Sequence, residues 1–160
     1  MTEKADPQVI RQSVLGVEMT DDECRTLADI MQVIELKEGE TLVQEGDVNR
    51  YLHLLAKGRL RAENVAGEAS RFLYDVRIGE VAGTRAFVDG TPRRATLRTV
   101  GGATLYALPP EDFDQLVESH PRLVYKAMRA LFRMTYINLT RIDKESEQLK
   151  NYVFKVHGRY

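Results

Sequence analysis

Between Gln32 and Leu108, short apolar runs are separated by turn residues at intervals of about ten positions, the spacing of an antiparallel sandwich or roll. Breaks are expected at Glu38-Gly39, Glu45-Gly46-Asp47, Lys57-Gly58, Ala66-Gly67, Gly79, Asp89-Gly90 and Gly101-Gly102. Within this region Arg59-Leu60-Arg61-Ala62-Glu63 alternates as a strand with one wet face does. Ahead of it, Asp6 as N-cap and Pro7 as first helical residue predict a short helix through Val9, Ile10 and Val14. Thr20-Asp21-Asp22-Glu23 reads as a capping box, opening a second helix with Cys24, Leu27, Ala28, Ile30 and Met31 on its apolar side.

After Leu108 the period becomes helical. Pro109-Pro110 opens a helix that turns Phe113, Leu116 and Val117 to one face, and His120-Pro121 ends it. A long helix follows from Arg122 toward Lys155, with no glycine or proline before Gly158. Phe132, Thr135, Leu139, Ile142, Ser146, Leu149, Val153 and Val156 form one stripe along it, either a two-stranded coiled-coil seam or a face laid on the helix's own domain. The reading is a mainly β chain with α elements, an antiparallel β-roll or jelly roll with short N-terminal helices and a long C-terminal helix. Its expected divisions are an arm and short helix over 1–19, the roll with flanking helices over 20–120, and a dimerising helix over 121–160.

The chain has 160 residues, of which 43% are apolar, enough for one domain with a real core. Its 23 basic and 24 acidic residues give a net charge of −1, so no global field recruits nucleic acid or anionic lipid. The lone Cys24 makes no internal disulfide, and no run approaches the roughly 18 apolar residues of a membrane span. The N-terminus lacks the apolar core of a signal peptide, and a soluble, cytoplasmic protein is expected.

Charge is instead local. From Arg77 to Arg98 five arginines face only Glu80 and Asp89. Gly79 and Gly83 allow close backbone approach, Arg85-Ala86-Phe87-Val88 makes one helical turn, and Asp89-Gly90-Thr91-Pro92 closes it. A helix start, exposed amides and an arginine fork together suit a phosphate. Other chemistry is poorly represented. Glu40, Glu45 and Asp47 flank turn glycines as solvated turn formers do. His53, His120 and His157 are too scattered for the metal cluster of a cupin enzyme, and no serine or cysteine has an evident base. No enzyme activity and no metal or other cofactor is expected.

The pattern Gly79-x-x-x-Gly83-x-x-Ala86-x-x-x-Gly90-x-x-Arg93-x-Ala95-Thr96 resembles the phosphate-binding cassette of cyclic nucleotide-binding domains. Lys37-x-Gly39-Glu40-x-Leu42-x-x-Glu45-Gly46-Asp47 and Tyr51 to Gly58 look like the family's early strands. The resemblance implies a ligand, cyclic AMP or cyclic GMP, with Gly83 and Ala86 approaching it, Arg93 pairing with its phosphate and Ala95 as a small wall. In the family a glutamate follows the second glycine and bonds the ribose; here that position is Thr84. Assigning the role to Glu80 would put thirteen residues before Arg93 and spoil the glycine register. Arg85 stands where relatives are apolar and Arg94 where they are small. By spacing from Pro121, Asn138 falls where bacterial relatives set a polar residue against the base.

The implied function is a non-enzymatic regulatory module that binds a cyclic nucleotide or related phosphate weakly, Thr84 being the departure, and signals through the C-terminal helix. The alternative is a degenerate domain that binds nothing small and serves as a dimerisation or protein-docking scaffold. A homodimer through the long helix is expected in either case. DNA binding is not, because only Gly158-Arg159-Tyr160 follow that helix.

Overall fold

The computed structural model describes residues 3–66 and 69–157; over 65–71 and 142–157 it describes the backbone course without the side chains. The chain enters through α1 (Pro7–Gln12), where the Asp6 carboxylate accepts from the Gln8 amide at 2.9 Å and Pro7 supplies the first helical residue. The helix does not run on to Val14 as expected. Ser13 stops it by donating its hydroxyl to the Ile10 carbonyl at 2.6 Å, and Val14–Gly16 form a 3-10 turn. The second helix, α2 (Asp21–Ile30), starts on the reciprocal pair read from the sequence: Thr20 Oγ1 accepts from the Glu23 amide while Glu23 Oε1 accepts from the Thr20 amide. Cys24, Leu27, Ala28 and Met31 are buried, and Ile30 is only partly covered.

Six antiparallel strands follow: β1 (Gln32–Leu36), β2 (Thr41–Val43), β3 (Leu52–Ala66), β4 (Ala69–Val76), β5 (Val81–Ala82) and β6 (Thr96–Leu108). A short helix, α3 (Thr84–Asp89), interrupts them between β5 and β6. The two long strands pair with each other from Leu52↔Leu108 to Glu63↔Thr96 and form the spine. On that spine β1 and β2 pair with β6, and β4 and β5 pair with β3. Alternation along β3 serves two cores. Leu52 and Leu54 join the cluster under the helices, whereas Leu55, Leu60 and Ala62 join Val43, Val76, Leu97 and Leu105 inside the roll.

The glycines expected to break the strands at 58 and 101–102 do not break them. Both lie inside long strands, at irregularities of the β3–β6 register between Gly58 and Leu60. A Cβ on Gly58 would overlap the Gly102 carbonyl oxygen and stand 2.8 Å from Ala103 Cα. The pair marks the place where the two backbones approach and the sheet bends, a use of strand glycine that leaves pairing intact.

Two helices complete the fold, α4 (Pro110–Ser119) and α5 (Pro121–His157). Phe113 and Leu116 of α4 are buried, but Val117 is 48% exposed, correcting its expected place on the apolar face. The buried face of α5 is Leu123, Ala127, Ala130, Leu131 and Met134, in one cluster with Ile10, Leu15, Leu27 and Leu54. Ion pairs from Lys126 to Glu23 at 2.6 Å and from Arg129 to Glu18 at 3.0 Å fasten the helix to the N-terminal segment. This is a different stripe from the one singled out in the sequence. Phe132, Thr135 and Leu139 are exposed and take no part in that buried cluster, and Ile142, Ser146, Leu149, Val153 and Val156 lie outside the residues whose side chains are described. Among the described residues no helix is long and apolar enough to cross a membrane.

Candidate functional site

The site is made by the return from β5 to β6. Gly83 leaves β5 in the left-handed region (φ 88°) and Gly90 ends α3 in the same region (φ 73°). Ala86 and Phe87 form the buried side of α3, with the Phe87 ring 5.2 Å from that of Phe113 on α4. The loop is therefore anchored by hydrophobic contact on one side, leaving its other side to face a cavity of about 310 Å³. All eight residues selected from the sequence border this cavity: Gly83, Thr84, Arg85, Ala86, Arg93, Arg94, Ala95 and, from α5, Asn138. Tyr74, Thr91, Thr135 and Leu139 also line it, and the sequence reading had not named them as site residues.

Arg93 is the structural centre of the site. Its backbone is held to the turn before β3, its amide donating to the Asp47 carbonyl at 2.9 Å and its carbonyl accepting from the Gly46 amide at 2.7 Å. Arg93 as a residue is only 6% exposed. Nε donates to the Asn49 carbonyl at 2.8 Å and Nη2 to the Tyr51 carbonyl at 2.6 Å, with Asn49 Oδ1 at 3.4 Å and His53 Nδ1 at 3.5 Å. Nη1 is the nitrogen turned toward Gly83, since a Cβ at that position would overlap it. Burial pulls the Arg93 pKa down, while Tyr74 and Asp47 pull it up. Among the described residues no carboxylate is ion-paired to it. A buried cation held by neutral acceptors, with a carboxylate acting on it only at a distance, is costly, and its charge would be better satisfied by an anion at the cavity.

His53, dismissed in the sequence as a solitary histidine without metal partners, sits behind Arg93. It is 2% exposed, in register with Ala82 of β5 and Ala107 of β6, and its ring stacks on Tyr51. Burial first, and the Arg93 charge second, push its pKa down to about 3, so the imidazole is neutral. With a guanidinium donor facing Nδ1, the ring proton belongs on Nε2. Sequence did carry a signal: a histidine inside Leu52-His53-Leu54-Leu55 is a polar group on a buried strand and requires a partner. Nothing local identified that partner as Arg93.

Glu80 does not line the cavity. One carboxylate oxygen accepts from the Arg77 amide at 3.0 Å, and the other pairs with Arg141 of α5 at 2.8 Å. Thr84 therefore stands alone at the position where the cassette would place an acid. The pair with Arg141 ties α5 to the strand entering the site, one turn beyond Asn138. Among the described residues no group of histidines, cysteines and carboxylates is placed to hold a metal ion.

The family description of the cyclic nucleotide-binding domain matches residues 33–120, more than half of the chain, which belongs to that family. A cyclic nucleotide-binding domain from Methylobacillus flagellatus KT superposes with a TM-score of 0.82 at 18% identity, over 91% of this chain and 86% of that one. The catabolite activator protein of Thermus thermophilus is 25% identical with a TM-score of 0.71, over 86% of this chain and 63% of its own. The regulatory domain of Toxoplasma gondii PKA, in its co-crystal with cAMP, is 25% identical with a TM-score of 0.61, over 68% of this chain and 42% of its own.

Proposed function

We propose that the protein is a non-enzymatic regulatory module that senses a cyclic nucleotide weakly through this cavity and signals through α5. The observation that carries the reading is Arg93, a buried cation that no carboxylate among the described residues ion-pairs, with one nitrogen turned to Gly83. A cyclic phosphate placed there would receive Nη1, with Gly83 and Ala86 permitting close approach and Ala95 leaving room behind it. Asn138, Thr135 and Leu139 of α5 would meet the base, so filling the cavity would change what the helix packs against. Thr84 offers one hydroxyl where a carboxylate would accept two ribose bonds. The missing charge-assisted bond is worth roughly 1.5–3 kcal/mol. Thr84→Glu should accordingly tighten cyclic AMP about tenfold or more in a calorimetric titration. A flat titration for both wild type and Thr84→Glu would remove this reading.

A dimer through α5 is supported by a specific face of that helix. Tyr125, Met128, Phe132 and Tyr136 recur at three- and four-residue intervals, with Phe132 75% and Tyr136 67% exposed. A second copy of the helix would cover this face. Phe132→Asp should shift the sedimentation of a tens-of-micromolar solution from dimer to monomer, and a wild type already monomeric there would refute the dimer.

A further inference from the structure

We infer that the ion pair between Glu80 and Arg141 is the clamp that sets the cavity-lining turn of α5 against the roll, which makes both of them positioning residues for the site. The inference rests on the reading of the cavity as a ligand site and deepens it by naming what holds its helical wall. The helix is held in two different ways along its length. From Leu123 to Met134 it is packed into the core, and Lys126 and Arg129 pair with Glu23 and Glu18. From Thr135 to Arg141 no residue is buried, yet Thr135, Asn138 and Leu139 of this second part wall the cavity. The Thr135 and Thr140 hydroxyls donate to carbonyls one turn back in α5 itself. Among the described residues, what ties this part to another element is the bond from Arg141 to Glu80.

The carboxylate end of the pair is fixed. Glu80 is 7% exposed, and both its oxygens are committed, one to the Arg77 amide at 3.0 Å and the other to Arg141 Nη1 at 2.8 Å. It immediately precedes Val81, Ala82 and Gly83, all on the cavity wall, while Arg141 lies two residues beyond Leu139 and three beyond Asn138. The bond therefore joins the strand side of the cavity to its helix side. Withdrawing this end of α5 would leave a buried carboxylate without its cation, and that opposes withdrawal far more strongly than loss of an exposed pair.

Amide hydrogen exchange on the full chain tests the clamp without any ligand, in the Phe132→Asp background so that no second copy of the helix supports the wall. A helix end that loses its tertiary contact is marginal in water and opens. Arg141→Gln should speed exchange of amides 138–141 at least about tenfold, the loss expected for one bond to a charged group, and leave amides 127–134 unchanged. Arg141→Lys keeps a cation and should return exchange to within about threefold of the parent. Cyclic AMP affinity, measured by calorimetry in whichever of wild type and Thr84→Glu binds it more tightly, gives the functional readout. Asn138→Ala and Arg141→Gln should each weaken it, and together no further than Arg141→Gln alone, because Asn138 contributes only while its turn is held. Unchanged exchange in Arg141→Gln, acceleration spread evenly along α5, no rescue by lysine, or affinity losses that simply add would overturn the clamp. Cyclic AMP binding with unchanged exchange sinks the clamp alone. Local, lysine-rescued exchange with a flat cyclic AMP titration sinks the nucleotide reading and leaves the clamp standing.

Discussion

Gly83→Ala is expected to destabilise the protein by about 3 kcal/mol or more in urea unfolding, well beyond the cost of a left-handed backbone alone. Two penalties add. An L-residue in that region costs about 1–2 kcal/mol. The new methyl would also overlap Arg93 Nη1 and lie 2.7 Å from Cζ and 2.8 Å from Nη2. The guanidinium must then leave the Asn49 and Tyr51 carbonyls, and bonds to a charged group contribute roughly 1.5–3 kcal/mol. Gly39 provides the control, because it too has positive φ (77°) but a Cβ there meets nothing within 4 Å. Gly39→Ala should show the backbone term only. Combined with Thr84→Glu, Gly83→Ala should also weaken cyclic AMP at least a hundredfold relative to Thr84→Glu alone, about 2.7 kcal/mol. Equal destabilisation at positions 39 and 83 would mean that Arg93 is not locked in place.

The second large effect is on acid stability. His53 has a pKa pushed down to about 3 in the folded protein, against about 6.5 in an unfolded chain. Between those values the unfolded state binds one more proton, so stability falls as pH falls, by up to about 1.4 kcal/mol per pH unit. Moving from pH 7 to pH 5 should cost about 2 kcal/mol from this residue. His53→Gln keeps a neutral acceptor for Arg93 and removes the titration, so its stability should fall about 2 kcal/mol less over the same interval. Glu18 and Glu23, whose pKa values are lowered by their ion pairs, contribute equally to both proteins and cancel. A His53 imidazole NMR signal, assigned by its absence from His53→Gln, that titrates near the ordinary histidine value in the folded protein would contradict the account.

Local sequence rules settled the elements wherever one residue type decides a backbone conformation or satisfies a nearby amide. Asp6 and Pro7 begin α1, Thr20 and Glu23 begin α2, and Pro121 separates α4 from α5. The cavity wall from Gly83 to Ala95 was legible for the same reason, since it is one continuous loop whose spacing fixes which residues share its face. Asn138 needed only a count along a helix. What holds Arg93 was not legible, because Asn49 and Tyr51 lie 44 and 42 residues away and act through backbone carbonyls common to every sequence. Only the pairing of β2 with β6, continued by the backbone bonds of Gly46 and Asp47 to Arg93, brings that turn beside the arginine.

Gly58 and Gly102 were read as breaks for a related reason. A glycine tells of conformational freedom, but whether it ends a strand or lets two strands touch depends on the facing backbone. On α5 the difficulty was an excess of signal. Leu123, Ala127, Ala130, Leu131 and Met134 form one apolar stripe and Tyr125, Met128, Phe132 and Tyr136 another, both at helical spacing. Periodicity states that a face is apolar without stating which neighbour it meets. The sequence therefore determined the helix, and the shape of the N-terminal segment and roll, which accept small alanines at close approach, decided which side of it was buried.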